Sequence, residues 1–165
     1  MRARHALAAV LAAAAAAALA LRPVEYLRVE NERWGTTLRI PLERGEPFAV
    51  VSMHSMYDAP VTEEFVVGPH EELVLEAVSS PSAAVREYFG LTGAGERQPV
   101  VRAMPRIVFR VAAGPAQLLR ARGEERSFLD LGDHGDRLVL SAGRAPAALR
   151  WLASLRSLAP IRPHS

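Results

Sequence analysis

The 165-residue sequence has no cysteine and no lysine, and its 20 basic side chains, histidines aside, are all arginine. Without cysteine, a disulfide framework, a cysteine-ligated zinc or iron–sulfur site and a thiol nucleophile are excluded. The basic isoelectric point reflects arginine, because the formal net charge is only +2. Removal of the first 20 residues, with Arg2 and Arg4, brings that charge to zero, which leaves no electrostatic case for a nucleic-acid partner.

Aromatic residues are also scarce, at 6%, whereas half of the chain is hydrophobic and 23% is charged. This balance is typical of a folded protein rather than of a disordered one. The length suits one small domain with a core that needs no disulfide.

The N-terminal segment has the pattern of an export signal. Arg2 and Arg4 make a basic start, and an alanine-rich apolar run of 16 residues follows. Ala18 and Ala20 stand at the positions that a signal peptidase reads, so the pattern predicts cleavage after Ala20 and a periplasmic or secreted chain beginning at Leu21. The run is shorter than the roughly 20 residues of a membrane span. An uncleaved N-terminal anchor facing the periplasm is the alternative, and no stable span is expected once the signal is removed.

Period-2 alternation of apolar residues dominates the later sequence, with Gly-, Pro- and Asp-rich turn signals between the runs. Short strands without a long helix between them predict an all-β, mainly antiparallel sandwich or barrel. We therefore expect a signal peptide at 1–20, a lead-in at 21–35, a β domain at 36–143, and a C-terminal helix and tail at 144–165. The alternating runs are 37–42, 48–53, 61–67, 72–78, 106–112, 117–121, 126–131 and 137–141.

Two segments have a helical pattern instead. Residues 80–89 begin with Ser80 and Pro81, which are typical of an N-cap and first helical position, and Gly90 would close this helix. Residues 91–99 are then predicted to be a loop. Residues 146–158 form an amphipathic pattern, predicted to be a helix that covers an open end of the sheet, with docking on a partner or a bilayer as the alternative.

The densest polar cluster, residues 53–64, is predicted to be a strand, a turn and a second strand. Aligning the flanking apolar residues places His54 opposite Glu63 and Ser52 opposite Phe65. An imidazole and a carboxyl group opposed in this way lie within hydrogen-bonding reach.

Three interpretations of the cluster remain open. His54 and Glu63 could form a structural or ligand-orienting pair. With Ser55 they could form a hydrolase triad. His54 could also hold a metal ion or small ligand together with Glu63 or Glu64, which gives only two metal ligands. Ser55 lacks the flanking glycines of a nucleophile elbow, and a catalytic zinc needs three protein ligands. We therefore expect no catalytic residue, no metal and no cofactor, and we name His54, Ser55, Glu63 and Glu64 as candidate ligand or partner contacts.

Two further polar groups have simpler interpretations. Residues 133–136 have the composition of a β-turn, and their acidic spacing is too short for a calcium loop. Arg102, Arg106 and Arg110 recur at even spacing, which predicts a solvent-facing arginine stripe.

Residues 48–67, with His54-Ser55, then Pro60-Val61, then Glu64-Phe65, resemble the bacterial domain of unknown function family 1850. Members of that family are encoded beside, or fused to, TAXI-type tripartite ATP-independent periplasmic (TRAP) transporters. The likeness extends over 38–142, but the family's Gly-Ala-Gly loop comes later here, at 93–95, after an inserted turn.

The resemblance implies an exported, non-enzymatic accessory or binding domain that works with solute uptake. Its partner would be a TRAP transporter component or the solute-binding protein of such a system. The resemblance brings no catalytic residue. A small secreted hydrolase, or a metal- or ligand-binding module, that uses His54, Ser55 and Glu63 is the alternative.

Overall fold

The computed structural model describes residues 2–43, 45–113 and 117–148, and within them the chain forms ten strands and three helices. The helices are α1 (Arg2–Leu21), α2 (Ala83–Tyr88) and α3 (Phe128–Leu131). The strands are β1 (Pro23–Asn31), β2 (Thr36–Leu42), β3 (Phe48–His54), β4 (Ala59–Val67), β5 (Leu73–Ser79), β6 (Arg97–Met104), β7 (Arg106–Arg110), β8 (Leu118–Ala121), β9 (Glu124–Ser127) and β10 (Arg137–Pro146).

The strands form two antiparallel sheets, which confirms the predicted all-β sandwich. One sheet has the order β2-β1-β10-β7, and the other has the order β6-β5-β4-β3-β8-β9. Every strand pair in both sheets is antiparallel. The chain leaves the second sheet at the end of β6 and enters the first at β7, with only Pro105 between them.

The alternating residues of both sheets meet in one hydrophobic core. Leu27 and Leu140 from the four-stranded sheet are fully buried, as are Val50 and Leu73 from the six-stranded sheet. The rings of Phe48 and Phe65 stack across β3 and β4 with centroids 5.3 Å apart. Since one face of each strand is buried and the other is half-exposed, period-2 alternation is the expected sequence signal.

Two strands, β1 and β6, lie in segments that were not predicted to form strands, and β9 begins before the predicted run 126–131. The segment 21–35, expected to be a lead-in, contains β1, which lies between β2 and β10. Its buried face includes the polar residues Glu25 and Asn31, so only Leu27 and Val29 showed the apolar alternation. The predicted loop 91–99 runs into β6, where Pro99 is tolerated because β6 is an edge strand.

The helical predictions are partly right. The helix predicted at 80–89 is α2, but its N-cap is Ser82, whose hydroxyl accepts from the Val85 amide at 3.4 Å, rather than Ser80. The predicted strand at 126–131 becomes helical at Phe128, because Ser127 and Asp130 form a capping box.

Helix α1 and strand β10 are the first and last elements of the described chain. Helix α1 covers the predicted export signal, whose cleavage remains a prediction. In the part of the chain that the structure describes, no helix is both long enough and apolar enough to cross a membrane. Strand β10 extends through Pro146, which was predicted to begin the C-terminal helix, and residues 149–158 of that predicted helix lie outside the described residues.

Candidate functional site

The hairpin of β3 and β4 carries all four candidate residues, but its register differs from the predicted one. His54 is paired with Ala59 and Glu63 with Val50, so the expected opposition of His54 and Glu63 is wrong. The two residues are separated by four positions along the sheet, about 13 Å at the rise of a β-strand.

The error has a physical reason. A shift by an even number of residues keeps each side chain on the same face of the sheet, so apolar alternation fixes the faces but not the register. The turn at 55–58 decides the register: it is short, closes with a hydrogen bond from the Tyr57 amide to the His54 carbonyl at 3.1 Å, and places Asp58 at a φ of 44°.

The structure separates the four candidates. His54 lies half-buried at the end of β3, and Ser55 is exposed in the turn that follows. Glu63 lies on the inward face of β4, between the buried side chains of Val61 and Phe65. Glu64 lies on the opposite face of the sheet.

Glu64 is engaged in an ion pair. The Arg97 guanidinium reaches across β5 and donates to both Glu64 oxygens, with Nε–Oε1 at 3.0 Å and Nη2–Oε2 at 2.8 Å. This pair raises the pKa of Arg97 further above its ordinary value, through the hydrogen bond first and the opposite charge second. Glu64 therefore has a surface partner already.

Glu63 opens into a pocket between the two sheets. The pocket has a volume of about 80 Å³. Apolar side chains make up most of its wall, and the wall contains two charged residues, Glu63 and Arg102. Its lining consists of Glu63, Phe65, Leu75, Val78, Phe89, Val100, Arg102, Met104 and Ile107. The wall thus combines four strands with the residue that follows α2.

The Glu63 carboxyl group has no hydrogen bond or ion pair with any residue that the structure describes. Burial removes water from the carboxylate and raises the pKa of Glu63 above its usual 4.5. Arg102 is exposed at the rim of the pocket and does not form an ion pair with Glu63. A buried carboxyl group without a partner costs folding free energy, which makes it unusual in a purely structural role.

A line of rings connects the hairpin end to this pocket, and we call Tyr57, His54, Tyr88 and Phe89 the aromatic series. His54 stacks on Tyr57 at 5.0 Å and meets the edge of Tyr88 at 4.6 Å. Tyr88 contacts Phe89 at 5.8 Å, and Phe89 lines the pocket. The His54 Nδ1 atom is buried and has no hydrogen-bond partner within the described ranges.

Helix α2 positions the inner half of the aromatic series. Val85 anchors the helix in the core, and the Arg86 guanidinium donates to the Ser80 carbonyl at 2.7 Å. Gly90, at a φ of 72°, ends the helix directly after Phe89. Phe89 is thereby directed inwards, while Tyr88 remains 63% exposed.

The predicted turn at 133–136 is confirmed, and it also has an unexpected structural role. Asp136 is buried and accepts from the Asn31 amide at 3.1 Å and the Asp133 backbone amide at 3.0 Å. These bonds, with the Asn31 bond first, lower the pKa of Asp136 below its usual 3.8. The cluster ties β1 to the turn before β10.

The structure does not assemble the predicted triad. Hydrolysis by the predicted triad needs His54 between Ser55 and Glu63, and the register holds Glu63 away. Among the described residues, no three histidine, aspartate or glutamate side chains converge as metal ligands. The pocket instead offers one buried carboxyl group surrounded by apolar and aromatic side chains.

Sequence reasoning named Glu63 but missed the pocket and the aromatic series. A signal for Glu63 was present, because Ala59, Val61, Phe65 and Val67 alternate with it on one face. Tyr88 and Phe89 carried no such signal, since their contact with His54 depends on tertiary packing. Comparison of the chain with protein-family models, with curated proteins and with solved structures gave no match.

Proposed function

We propose that this chain is an exported, non-enzymatic domain that binds a small solute in the pocket at Glu63 and assists solute uptake. The observation that carries the proposal is the inward-facing Glu63 carboxyl, which lies in an apolar pocket without a partner in the described structure. Proteins retain such a destabilising group where it serves a ligand.

The pocket has the features of a small-molecule site. It is concave and largely apolar, and the carboxyl group of Glu63, which is partly buried, would orient a ligand. Its volume is well below the roughly 300–1,000 Å³ of sites for drug-sized ligands. A solute with only a few heavy atoms therefore fits best.

The link to uptake is supported by the resemblance of residues 48–67 to domains that accompany TAXI-type TRAP transporters. The N-terminal export pattern is consistent with that location. Under this proposal, the partner is a transporter component or the solute-binding protein. The domain binds the solute on the outer side of the membrane.

A pocket-filling variant tests solute binding. Val100 lines the pocket, whereas its neighbour Val101 is 90% exposed, so Val100→Trp and Val101→Trp form a matched pair. The purified protein would be titrated with tetramethylammonium chloride, tert-butyl alcohol and sodium acetate, and followed by two-dimensional NMR. We expect at least one probe to shift resonances of Phe65 and Phe89 in the wild type and in Val101→Trp, but not in Val100→Trp.

If none of the three probes shifts these pocket resonances in the wild type, the proposal is wrong. A probe that shifts them equally in Val100→Trp would also contradict it, because binding would then lie elsewhere. Should Val100→Trp not fold, the map of shifted resonances on the wild type decides the question by itself.

A further inference from the structure

Resting on the proposed function, the geometry points to a specific ligand class for the pocket. We infer that it binds a small organic cation, an ammonium group with compact alkyl substituents, with the ammonium group beside Glu63. The inference stands on three features of the described structure: a partly buried carboxyl group without an ion pair or hydrogen bond, aromatic rings in the same wall, and the small volume.

Charge complementarity is the first feature. Glu63 is paired along the sheet with Val50 on β3 and with Val78 on β5, so neither neighbouring strand brings a counter-charge beside it. Arg102, the other charged residue of the pocket, is exposed at the rim and forms no ion pair with Glu63. The carboxylate is thus left to a positive charge that the ligand supplies.

Aromatic rings are the second feature. Phe65 and Phe89 both line the pocket, and the negative faces of aromatic rings attract cations. The rest of the aromatic series continues from Phe89 through Tyr88 and His54 to the exposed Tyr57. A cation that enters along this series would keep contact with rings from the surface to the carboxylate.

The apolar side chains in the rest of the wall are the third feature, together with the volume, and they determine which substituents the ammonium ligand can carry. Leu75, Val78 and Ile107 offer no hydrogen-bonding side chain, so a hydroxyl-rich or strongly hydrated ligand would lose water without replacement. A volume of about 80 Å³ admits a compact group of a few heavy atoms. Alkyl groups on an ammonium nitrogen match both conditions, because they spread the charge and weaken its hydration.

The rival is a neutral ligand that accepts a hydrogen bond from protonated Glu63. The raised pKa of Glu63 makes the protonated form accessible, so charge has to be tested directly. Tetramethylammonium and tert-butyl alcohol suit this test because they are compact and have the same number of heavy atoms. Only tetramethylammonium is charged.

The experiment is an NMR titration of the full chain with each probe near neutral pH, at an ionic strength held constant with sodium chloride. We expect tetramethylammonium to bind at least about tenfold more tightly than tert-butyl alcohol, as read from the Phe65 and Phe89 resonances. Glu63→Gln should weaken tetramethylammonium at least about tenfold and leave tert-butyl alcohol within about twofold.

Glu64→Gln is the matched control, because Glu64 is the next residue on β4 but lies on the opposite face. It should leave both affinities unchanged. Equal or tighter binding of tert-butyl alcohol to the wild type, or unchanged tetramethylammonium affinity in Glu63→Gln, overturns the inference. Binding of the neutral probe alone leaves the proposed solute site standing, whereas failure of every probe at the pocket removes both proposals. If Glu63→Gln does not fold, the two probes on the wild type decide.

Discussion

At the residue scale, Glu63 and Glu64 show how the fold places two adjacent and chemically identical residues in different surroundings. The two glutamates are adjacent on β4, and strand geometry sends their side chains to opposite faces. Glu64 forms a surface pair with Arg97, while Glu63 faces an apolar pocket. Sequence analysis assigned Glu63 and Glu64 to one candidate site. The sequence shows that both carboxylates are present, but it does not show which face of the sheet forms the pocket.

Glu63→Gln should stabilise the protein. At neutral pH the variant removes a partly buried charge, and we therefore expect the free energy of unfolding to rise. Since folding raises the pKa of Glu63, the wild type should lose stability relative to Glu63→Gln as the pH rises above 4.5 and through the folded-state pKa. Urea melts at several pH values measure this difference, with Glu64→Gln as control. A less stable Glu63→Gln at neutral pH would show that the carboxylate has a stabilising partner.

At the element scale, the sequence predicted strands well and pairing poorly. Alternation identified β2 to β5, β7, β8 and the first half of β10, since their inward residues are apolar. Strand β1 was missed because polar residues occupy both ends of its buried face, at Glu25 and Asn31. The hairpin register was missed because alternation repeats every two residues and leaves the turn to choose among even shifts.

The hairpin register can be tested by crosslinking, because the chain has no cysteine of its own. Val51 is paired with Thr62 in the structure, so Val51→Cys/Thr62→Cys should form a disulfide on mild oxidation. In the register predicted from the sequence, Val51 would instead face Val66. Val51→Cys/Val66→Cys is therefore the control and should remain reduced in mass spectra. A disulfide in the control pair alone would restore the sequence-based register.

The contact between β1 and the turn before β10 should make stability sensitive to acid. Because the pKa of Asp136 is lowered in the folded state, its contribution is complete above its ordinary value of 3.8 and is lost as the pH falls through the folded pKa. Asp136→Asn should destabilise the protein at neutral pH, and this difference should shrink as the pH falls below 3.8 and through the folded-state pKa. Denaturant melts at several pH values measure the stability difference between the wild type and Asp136→Asn. Asp133→Asn, at an exposed residue of the same turn, is the control. A difference that does not change with pH would mean that Asp136 does not act through its charge.

At the scale of the whole molecule, the candidate site depends on how the sheets meet. The pocket wall takes residues from β4, β5, β6 and β7 together with Phe89 beyond α2. These segments are separate in the sequence, and no local sequence pattern predicts that they meet at one pocket. A β-sandwich could be predicted from alternation and turn signals, whereas the pocket required the tertiary structure.

The export predicted from the N-terminal sequence also concerns the whole chain, and it can be tested directly. If residues 1–20 are a cleaved signal, protein recovered from a periplasmic fraction should begin at Leu21. N-terminal sequencing reads this residue. Recovery only from membranes, with the first twenty residues retained, would favour the anchored alternative.

The most direct test of the account is the titration of the Glu63 carboxyl itself. Its side-chain ¹³C resonance can be followed against pH in the wild type, with and without tetramethylammonium chloride, and assigned by its loss in Glu63→Gln. We predict a midpoint above 4.5 in the free protein, because burial raises this pKa, and a lower midpoint when the cation is bound. A midpoint at or below 4.5, unmoved by the cation, would show that the carboxyl is solvated or already paired and would contradict the proposed site.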